Sequence, residues 1–262
     1  MTFIAKQCHV SLTTVLRVLK SVESQLPQQL KPRSFPEVLM VDEFRSHASY
    51  EDKMSFICAD GETGELVDIL PSRKLDKIIP YFNRSPLEER EKVKFLVTDM
   101  NAAYFQLTKN VFPTAKLIID RFHIVKHLNT AFNDFRVREM KRLITNKKKS
   151  KANKLKSNWK LLLKNQTNIS ISEFKTWRSF PSPKYHLLTE SMVIDRLLSF
   201  SSELKEAYDI FHLLMYHFRN KDDRSFFELL KNLPGSLDTQ FRDKIENLIS
   251  YEEGIRNALK YN

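Results

Sequence analysis

Two segments, residues 38–44 and 94–101, give the clearest hydrophobic pattern in the chain. Each contains a run of apolar, partly β-branched residues, which predicts a buried strand. Each run ends on a carboxylate, Asp42 in the first and Asp99 in the second. A buried Asp costs several kcal/mol unless it is paired or binds a metal, so we interpret the two acids as a joint site for Mg²⁺ or Mn²⁺. The alternative for each acid alone is a loop start or a helix cap.

The rest of the pattern predicts a hairpin, then alternating helices and strands, and finally helices alone. Residues 55–60 and 65–70 flank a Gly-Glu-Thr-Gly turn of the kind that a hairpin requires. A third acid-tipped strand is predicted over residues 115–119, before Asp120. Helices are predicted at 74–82, 87–92, 102–110, 121–143, 187–198, 204–218, 225–233 and 241–259. Three antiparallel strands followed by parallel strand–helix repeats are the order of an RNase H-like α/β fold.

The first residues predict two short helices around a turn. Ser11 is a good N-cap for the second helix, to which Val15, Leu16, Val18 and Leu19 contribute apolar positions. This is a helix-turn-helix pattern, and it would place the second helix in the major groove of DNA. The side chains expected to face DNA are Ser11, Thr13, Thr14 and Arg17. An ordinary helical hairpin is the alternative reading, because such patterns are degenerate.

Composition favours a globular protein with a polyanionic partner. The 262 residues are 42% hydrophobic and carry a net charge of +11, which points to nucleic acid before an acidic membrane. With only 4 Gly and no glycine-rich phosphate loop, the sequence gives no support for a nucleotide cofactor. No 18-residue apolar stretch or signal peptide is present, and the 2 Cys lack metal spacing, so we expect a soluble, cytoplasmic protein without a membrane partner.

The positive charge is concentrated in residues 136–160, where eleven Lys or Arg face a single acid, Glu139. A solvated loop is the ordinary interpretation of such a run, and contact with DNA phosphates is the alternative. The densest part supplies the candidate DNA-binding residues Lys147, Lys148, Lys149 and Lys151. We expect both tryptophans, Trp159 and Trp177, to be core anchors rather than base-stacking platforms.

Taken together, these residues resemble a known family. Asp42 in Val-Asp-Glu-Phe, Asp99 in Val-Thr-Asp-Met-Asn, and the sequence from Asp120 to His123 are similar to bacterial insertion-sequence transposases of the ISL-three group, which have a DDE domain. The resemblance covers nearly the whole chain, including Gly64 with its following strand and Arg73. We therefore expect three segments: a helix-turn-helix remnant with a linker at 1–34, an RNase H-like catalytic core at 35–125, and a large basic, all-helical insertion at 126–262.

The resemblance implies DNA cleavage and strand transfer by two-metal phosphoryl transfer. Asp42 and Asp99 would ligate the cations, while Asp120 and His123 match the family's Asp-x-x-His motif. His123 would donate a hydrogen bond to the scissile phosphate, or would simply pack its helix. Glu43 is expected on the opposite face of the strand from Asp42 and is not predicted as a ligand. The implied partners are double-stranded DNA at the transposon ends and target, and a second copy of the chain, although no heptad seam is visible.

One part of the family pattern is not found. The third catalytic acid, a Glu after a Ser-Asn-Gly segment, has no counterpart, because Glu252 and Glu253 lack that context. The zinc-binding segment and the first helix of the amino-terminal domain are also missing. We therefore expect a chain truncated at both ends that binds DNA but cuts it poorly. The alternatives are a catalytically dead fragment that competes for transposon ends, or another RNase H-like nuclease.

Overall fold

The computed structural model describes residues 5, 8–25, 34–46, 53–181 and 184–261. The chain divides into two compact units, residues 1–35 and 36–262. The three-part division expected from the sequence stays a prediction.

The first unit contains helix α1, Leu12–Gln25. Ser11 caps it as predicted, because its Oγ accepts the Thr14 amide N–H at 3.0 Å. Of the expected apolar positions, Val15 is buried, but Leu16 and Val18 are 39% and 53% exposed. The packed face of α1 is therefore narrower than the sequence pattern predicts. Most of the helix expected before the turn lies outside the described residues, which here include only residue 5 and the turn from residue 8 onward.

The second unit is built on a five-stranded mixed sheet in the order β3-β2-β1-β4-β5. Strands β1, β2 and β3 pair antiparallel, whereas β1, β4 and β5 pair parallel. The strands are β1 Val38–Arg45, β2 Met54–Asp60, β3 Leu66–Leu70, β4 Phe95–Thr98 and β5 Lys116–Ile119. The arrangement confirms the predicted mixed α/β sheet, which is compatible with an RNase H-like fold carrying a helical insertion.

The β2–β3 hairpin depends on its two glycines. Gly64 has a φ of +73°, a conformation that side chains other than glycine rarely adopt. At Gly61, an added Cβ would lie 2.5 Å from Val38 Cγ1, so no larger residue fits under the start of β1. The carboxylate of Asp60 accepts the Glu62 amide N–H at 2.8 Å and holds the turn between them.

The helices follow the predicted order, with two differences. They are α2 Leu75–Phe82, α3 Leu87–Arg90, α4 Phe105–Asn110, α5 Arg121–Thr145, α6 Lys149–Ser157, α7 Trp159–Leu162, α8 Glu190–Leu198, α9 Ser202–Arg219, α10 Asp223–Lys231, α11 Thr239–Glu246 and α12 Glu252–Lys260. The single helix expected at 241–259 is interrupted by the 3₁₀ segment Asn247–Tyr251. The densest basic stretch is divided: residues 146–148 form a turn after α5, and residues 149–151 begin α6, where Ala152 and Leu155 are buried.

Aromatic rings cover one face of the sheet, and a helix covers its β5 edge. An aromatic cluster of Phe56, Phe82, Tyr104 and Phe112, with ring centroids 5.1–6.0 Å apart, covers the face under α2. At the β5 edge, the Asn257 side-chain amide of α12 donates to the Leu117 carbonyl at 2.8 Å, which covers an otherwise open strand edge.

The helical part packs around α5 in a core that also includes Ile118 and Ile119 of β5. Phe132 stacks on Phe211 of α9 with ring centroids 4.8 Å apart, and it meets Phe241 of α11 edge-on. Trp177 packs against this core and donates its indole N–H to the Leu188 carbonyl at 2.9 Å. Trp159 is 40% exposed, so the expectation that it is a core anchor is wrong.

Candidate active site

The sheet register brings three acids to one end of the three parallel strands. Met40 of β1 pairs with Val97 of β4, so Asp42 and Asp99 each lie two residues further along. Thr98 pairs with Ile119 of β5, so Asp99 and Asp120 each lie one residue further along. Equivalent positions on parallel strands point to the same face of the sheet, and the three side chains therefore meet at its carboxyl-terminal edge.

The three acids line a single cleft of about 250 Å³ together with His123. Its floor is apolar and includes Ile57 and Val97. Asp42 is exposed at the rim, whereas Asp99 and Asp120 are half-buried. The cleft thus combines a low-dielectric floor with acids that solvent and substrate can reach.

Each of the first two acids is oriented by a backbone amide close to it in sequence. The Asp42 Oδ1 accepts the Glu43 N–H at 2.8 Å, and the Asp99 Oδ1 accepts the Asn101 N–H at 2.9 Å. Asp99 therefore opens the loop before α4, as the alternative interpretation expects, and it also lines the cleft. The two roles are compatible, because the loop hydrogen bond uses only one carboxylate oxygen.

Electrostatically, Asp99 lies in surroundings that disfavour its charge. Burial raises the pKa of Asp99, and the negative charges of Asp42 and Glu43 raise it further. The Asn101 amide and the nearby His123 act in the opposite direction on this pKa but do not cancel the rise. The carboxylates therefore repel one another, and a cation bound between them would relieve that repulsion.

Asp120 serves the start of α5 and the imidazole of His123 at once. Its Oδ1 accepts the Phe122 amide N–H at 2.9 Å and caps the helix. Its Oδ2 lies 3.0 Å from His123 Nδ1. Because a carboxylate only accepts, this contact makes Nδ1 the protonated nitrogen and directs the tautomer of the ring. The Asp-x-x-His motif is therefore an assembled pair with a defined hydrogen bond.

A further acid, Glu43, supports the site from the other face of the sheet. It pairs with Phe56 across β1 and β2, which places it opposite Asp42 in the strand, as alternation predicts. Its side chain is only 11% exposed and forms an ion pair with Arg73. Its Oε1 also accepts the Asn101 side-chain N–H at 3.1 Å. The sequence did not predict the contact between Glu43 and Asn101, because the two residues are 58 positions apart. The only available signal is general: a buried, charged Glu requires a partner.

Asn101 is the link between Glu43 and the acid loop. Its side-chain oxygen accepts the Ala103 N–H at 3.1 Å and caps the 3₁₀ segment Ala102–Tyr104, while its own N–H binds Asp99. The side-chain amide of the same residue reaches Glu43. Asn101 thus connects the Asp99 loop to β1. We call the hydrogen-bonded pair of Glu43 and Asn101 the Glu43–Asn101 tether.

The donors present suit a hard divalent cation. Asp42 and Asp99 provide oxygen ligands at the ends of neighbouring strands, and both line the same cleft. Within the described part of the chain, however, no three His, Cys, Asp or Glu side chains are grouped closely enough to hold a metal together. The fit therefore concerns the pair of carboxylates.

A family model described as a transposase, that of the ISL-three group with a DDE domain, matches residues 39–262. The chain belongs to the ISL-three transposase family. The match includes all three acids and the whole helical part. Neither a curated protein nor a solved structure matches the chain.

Membership supports a transposase function and a DNA substrate, and enzymes of this family generally use divalent metals. Over the described ranges, no helix is both long and apolar enough to cross a membrane.

Most of the predicted DNA-binding residues are exposed. Ser11, Thr13 and Arg17 are exposed at the start of α1 and along it, whereas Thr14 is half-buried. In the basic stretch, Lys147, Lys148 and Lys149 are exposed just beyond the end of α5. The Lys151 ammonium instead lies 5.2 Å from the Phe200 ring centroid. Contact of these groups with DNA stays a prediction.

Several cations of the basic stretch form hydrogen bonds or ion pairs within the protein. Arg136 is buried and donates to the Leu155 carbonyl at 3.0 Å, and Arg138 pairs with Asp238 at 2.5 Å. Arg142 pairs with Glu139 at 2.7 Å. The sequence count of cations therefore overstates the charge available to a phosphate backbone.

Proposed function

We propose that this family member acts in cleavage and joining of DNA strands at the ends of an insertion sequence, with Asp42 and Asp99 as ligands of Mg²⁺ or Mn²⁺, and that it cuts slowly because the family's third acid has no counterpart in residues 1–262. The observation that carries the proposal is the common register of the two acids on neighbouring parallel strands, in a cleft that also contains Asp120 and His123. When bound between carboxylates, divalent cations activate the attacking oxygen and stabilise charge on the attacking and leaving oxygens.

The remaining residues have distinct tasks in this proposal. Asp120 accepts the Nδ1–H of His123 and fixes the orientation of the ring, so that Nε2 is the nitrogen left to face the DNA phosphate. The Glu43–Asn101 tether fixes the Asp99 loop, so that its carboxylate stays aimed into the cleft. Glu43 acts through Asn101 and is a positioning residue rather than a ligand.

The test is nicking of supercoiled plasmid and insertion of a 3′-hydroxyl oligonucleotide by the full chain in Mn²⁺. We expect Asp42→Asn and Asp99→Asn each to lower both rates by more than about a hundredfold. Glu65→Gln is the matched control, because this exposed acid lies in the β2–β3 turn, outside the cleft. Nicking that neither Asn substitution changes would refute the assignment of the acids. DNA binding without nicking under either metal would instead support a DNA-binding role without chemistry.

A further inference from the structure

An aromatic side chain is exposed beside the acid cleft. Phe122, the second residue of α5, exposes 64% of its surface. Its ring meets the His123 ring edge-on, with centroids 5.4 Å apart, and His123 lines the cleft. Phe122 thus lies next to the cleft, whereas the other two phenylalanines of α5, Phe132 and Phe135, are buried in the helical core.

Phe122 begins a groove between α5 and α7 of about 320 Å³. The exposed Trp159 lies on the α7 side. Between the two aromatic rings, α5 contributes polar and cationic groups, and none of the lining residues is acidic. The groove is lined by Phe122, Lys126, Asn129 and Asn133 of α5 and by Trp159 of α7, among others.

The spacing of these residues places them along one line. Positions 122, 126, 129 and 133 follow the three- and four-residue steps of a single helix face. From Phe122 to Asn133 the helix rises by about 16 Å. A stacked nucleic-acid strand advances by about 3.4 Å per nucleotide, so this length accommodates roughly three to five nucleotides, depending on how extended the strand is.

Each aromatic ring has a lysine beside it. The Lys126 ammonium lies 5.8 Å from the Phe122 ring centroid, and the Lys160 ammonium lies 5.7 Å from that of Trp159. Aromatic faces with adjacent cations are the chemistry that binds unpaired nucleotides, because bases stack on the rings while the cations contact phosphates. A duplex keeps its base faces stacked inside, and the two exposed rings would have nothing to stack on.

We propose that this groove, which we call the strand groove, binds about three to five unpaired nucleotides of the DNA strand that runs through the acid cleft. This inference rests on the proposed function, since it names the form of DNA that the same site receives. Phe122 is the platform nearest the scissile phosphate, and Trp159 is the platform at the far side of the groove. The strand groove therefore requires that the duplex be opened next to the position of cleavage.

The first experiment measures binding without chemistry. Fluorescence anisotropy of the full chain in EDTA compares a labelled oligothymidine of about twenty nucleotides with a labelled mixed-sequence duplex of the same length, which stays paired at the assay temperature. We expect Phe122→Ala and Trp159→Ala each to weaken binding of the single strand about tenfold, and binding of the duplex by less than about twofold. Phe122→Tyr, which keeps an aromatic face, should retain the affinity. Phe174→Ala is the matched control, because Phe174 is 54% exposed but does not line the groove.

The second experiment reports stacking directly. The chain has 2 Trp, so Trp177→Phe leaves Trp159 as the sole tryptophan, whose fluorescence can be excited selectively. Oligothymidine should quench this fluorescence, and duplex should not. Unchanged single-strand affinity of both alanine variants, or equal losses for single strand and duplex, would overturn the proposal.

The two levels of inference separate cleanly. Asp99→Asn removes cleavage if the proposed function is right, yet it leaves the strand groove and its affinity in EDTA intact. A wild-type chain that binds single strands through Phe122 but never nicks DNA would refute the catalytic proposal alone. A chain that nicks DNA, and whose single-strand binding is indifferent to Phe122 and Trp159, would refute the strand groove alone.

Discussion

Replacing Asn101 with alanine removes two hydrogen bonds that hold the Asp99 loop. One is the cap on the Ala103 N–H, and the other is the side-chain N–H donated to Glu43, both at 3.1 Å. Loss of an N-cap costs about 1 kcal/mol. A hydrogen bond to a charged group contributes about 1.5–3 kcal/mol, and the Glu43 side chain is only 11% exposed, so water replaces little of it. We expect a destabilisation of about 3 kcal/mol.

Urea unfolding and thermal melting of the full chain in EDTA measure this loss. A destabilisation of about 3 kcal/mol corresponds to a fall in Tm of roughly 6–12 °C for a chain of this size. Asn101→Ser keeps a capping oxygen but does not reach Glu43, so it should lose only the second contribution. Asn153→Ala, at an exposed position of α6, is the matched control.

The same variants test whether the tether matters for the site. Because Asn101 orients the loop that carries Asp99, Asn101→Ala should weaken Mn²⁺ binding about tenfold, measured by titration calorimetry. An alanine variant within about 0.5 kcal/mol of wild type, with unchanged Mn²⁺ affinity, would refute the tether.

Three further predictions follow from buried groups. Burial lowers the pKa of His212 to about 4, below its ordinary value of 6.5, so the stability it contributes is complete above pH 6.5 and is lost as the pH falls toward 4. Urea unfolding at pH 7 and 4.5 should show a loss of about 2–3 kcal/mol in wild type that His212→Gln does not share, and equal losses would contradict this assignment. Asp99→Asn should raise the Tm in EDTA at pH 7, because burial and the neighbouring carboxylates raise the pKa of Asp99 and so disfavour its charged form. A Tm of the variant at or below that of wild type would count against this. The affinity of the wild-type chain for Mn²⁺ should fall at low pH as Asp99 becomes protonated. Gly254→Val should destabilise the chain by about 2 kcal/mol in urea unfolding, because the new Cβ would lie 2.7 Å from Ile119 Cγ1. Gly235→Val is the control, because the space around its new Cβ is open. An equal effect of both substitutions would refute the close approach of α12 to β5.

The acid-tipped strands could be predicted because their signal is local. An apolar run that stops at Asp42 or Asp99 identifies a strand end, and parallel neighbours bring strand ends together without further information. The same logic finds Asp120 before α5. Alternation also places Glu43 on the face opposite Asp42, and the pairing of Glu43 with Phe56 agrees with it.

The supporting contacts could not be predicted, because their partners are distant in sequence. Arg73 and Asn101 lie 30 and 58 residues from Glu43, and no local pattern specifies that they meet it. The charge available in the basic stretch could not be predicted for the same reason, since the ion-pair partner of Arg138 is Asp238, 100 residues away. Residue type alone predicts a buried Trp159, but the burial of its ring depends on which distant segments pack over it.

The continuity of α5 has a geometric consequence. This helix starts at the Asp120 cap and ends at Thr145, immediately before the exposed lysines, without an interruption over 25 residues. Its length is about 37 Å. The helix therefore fixes the distance between the acid cleft and the exposed lysines that follow it, and inserting four residues would shift its far end by about 6 Å.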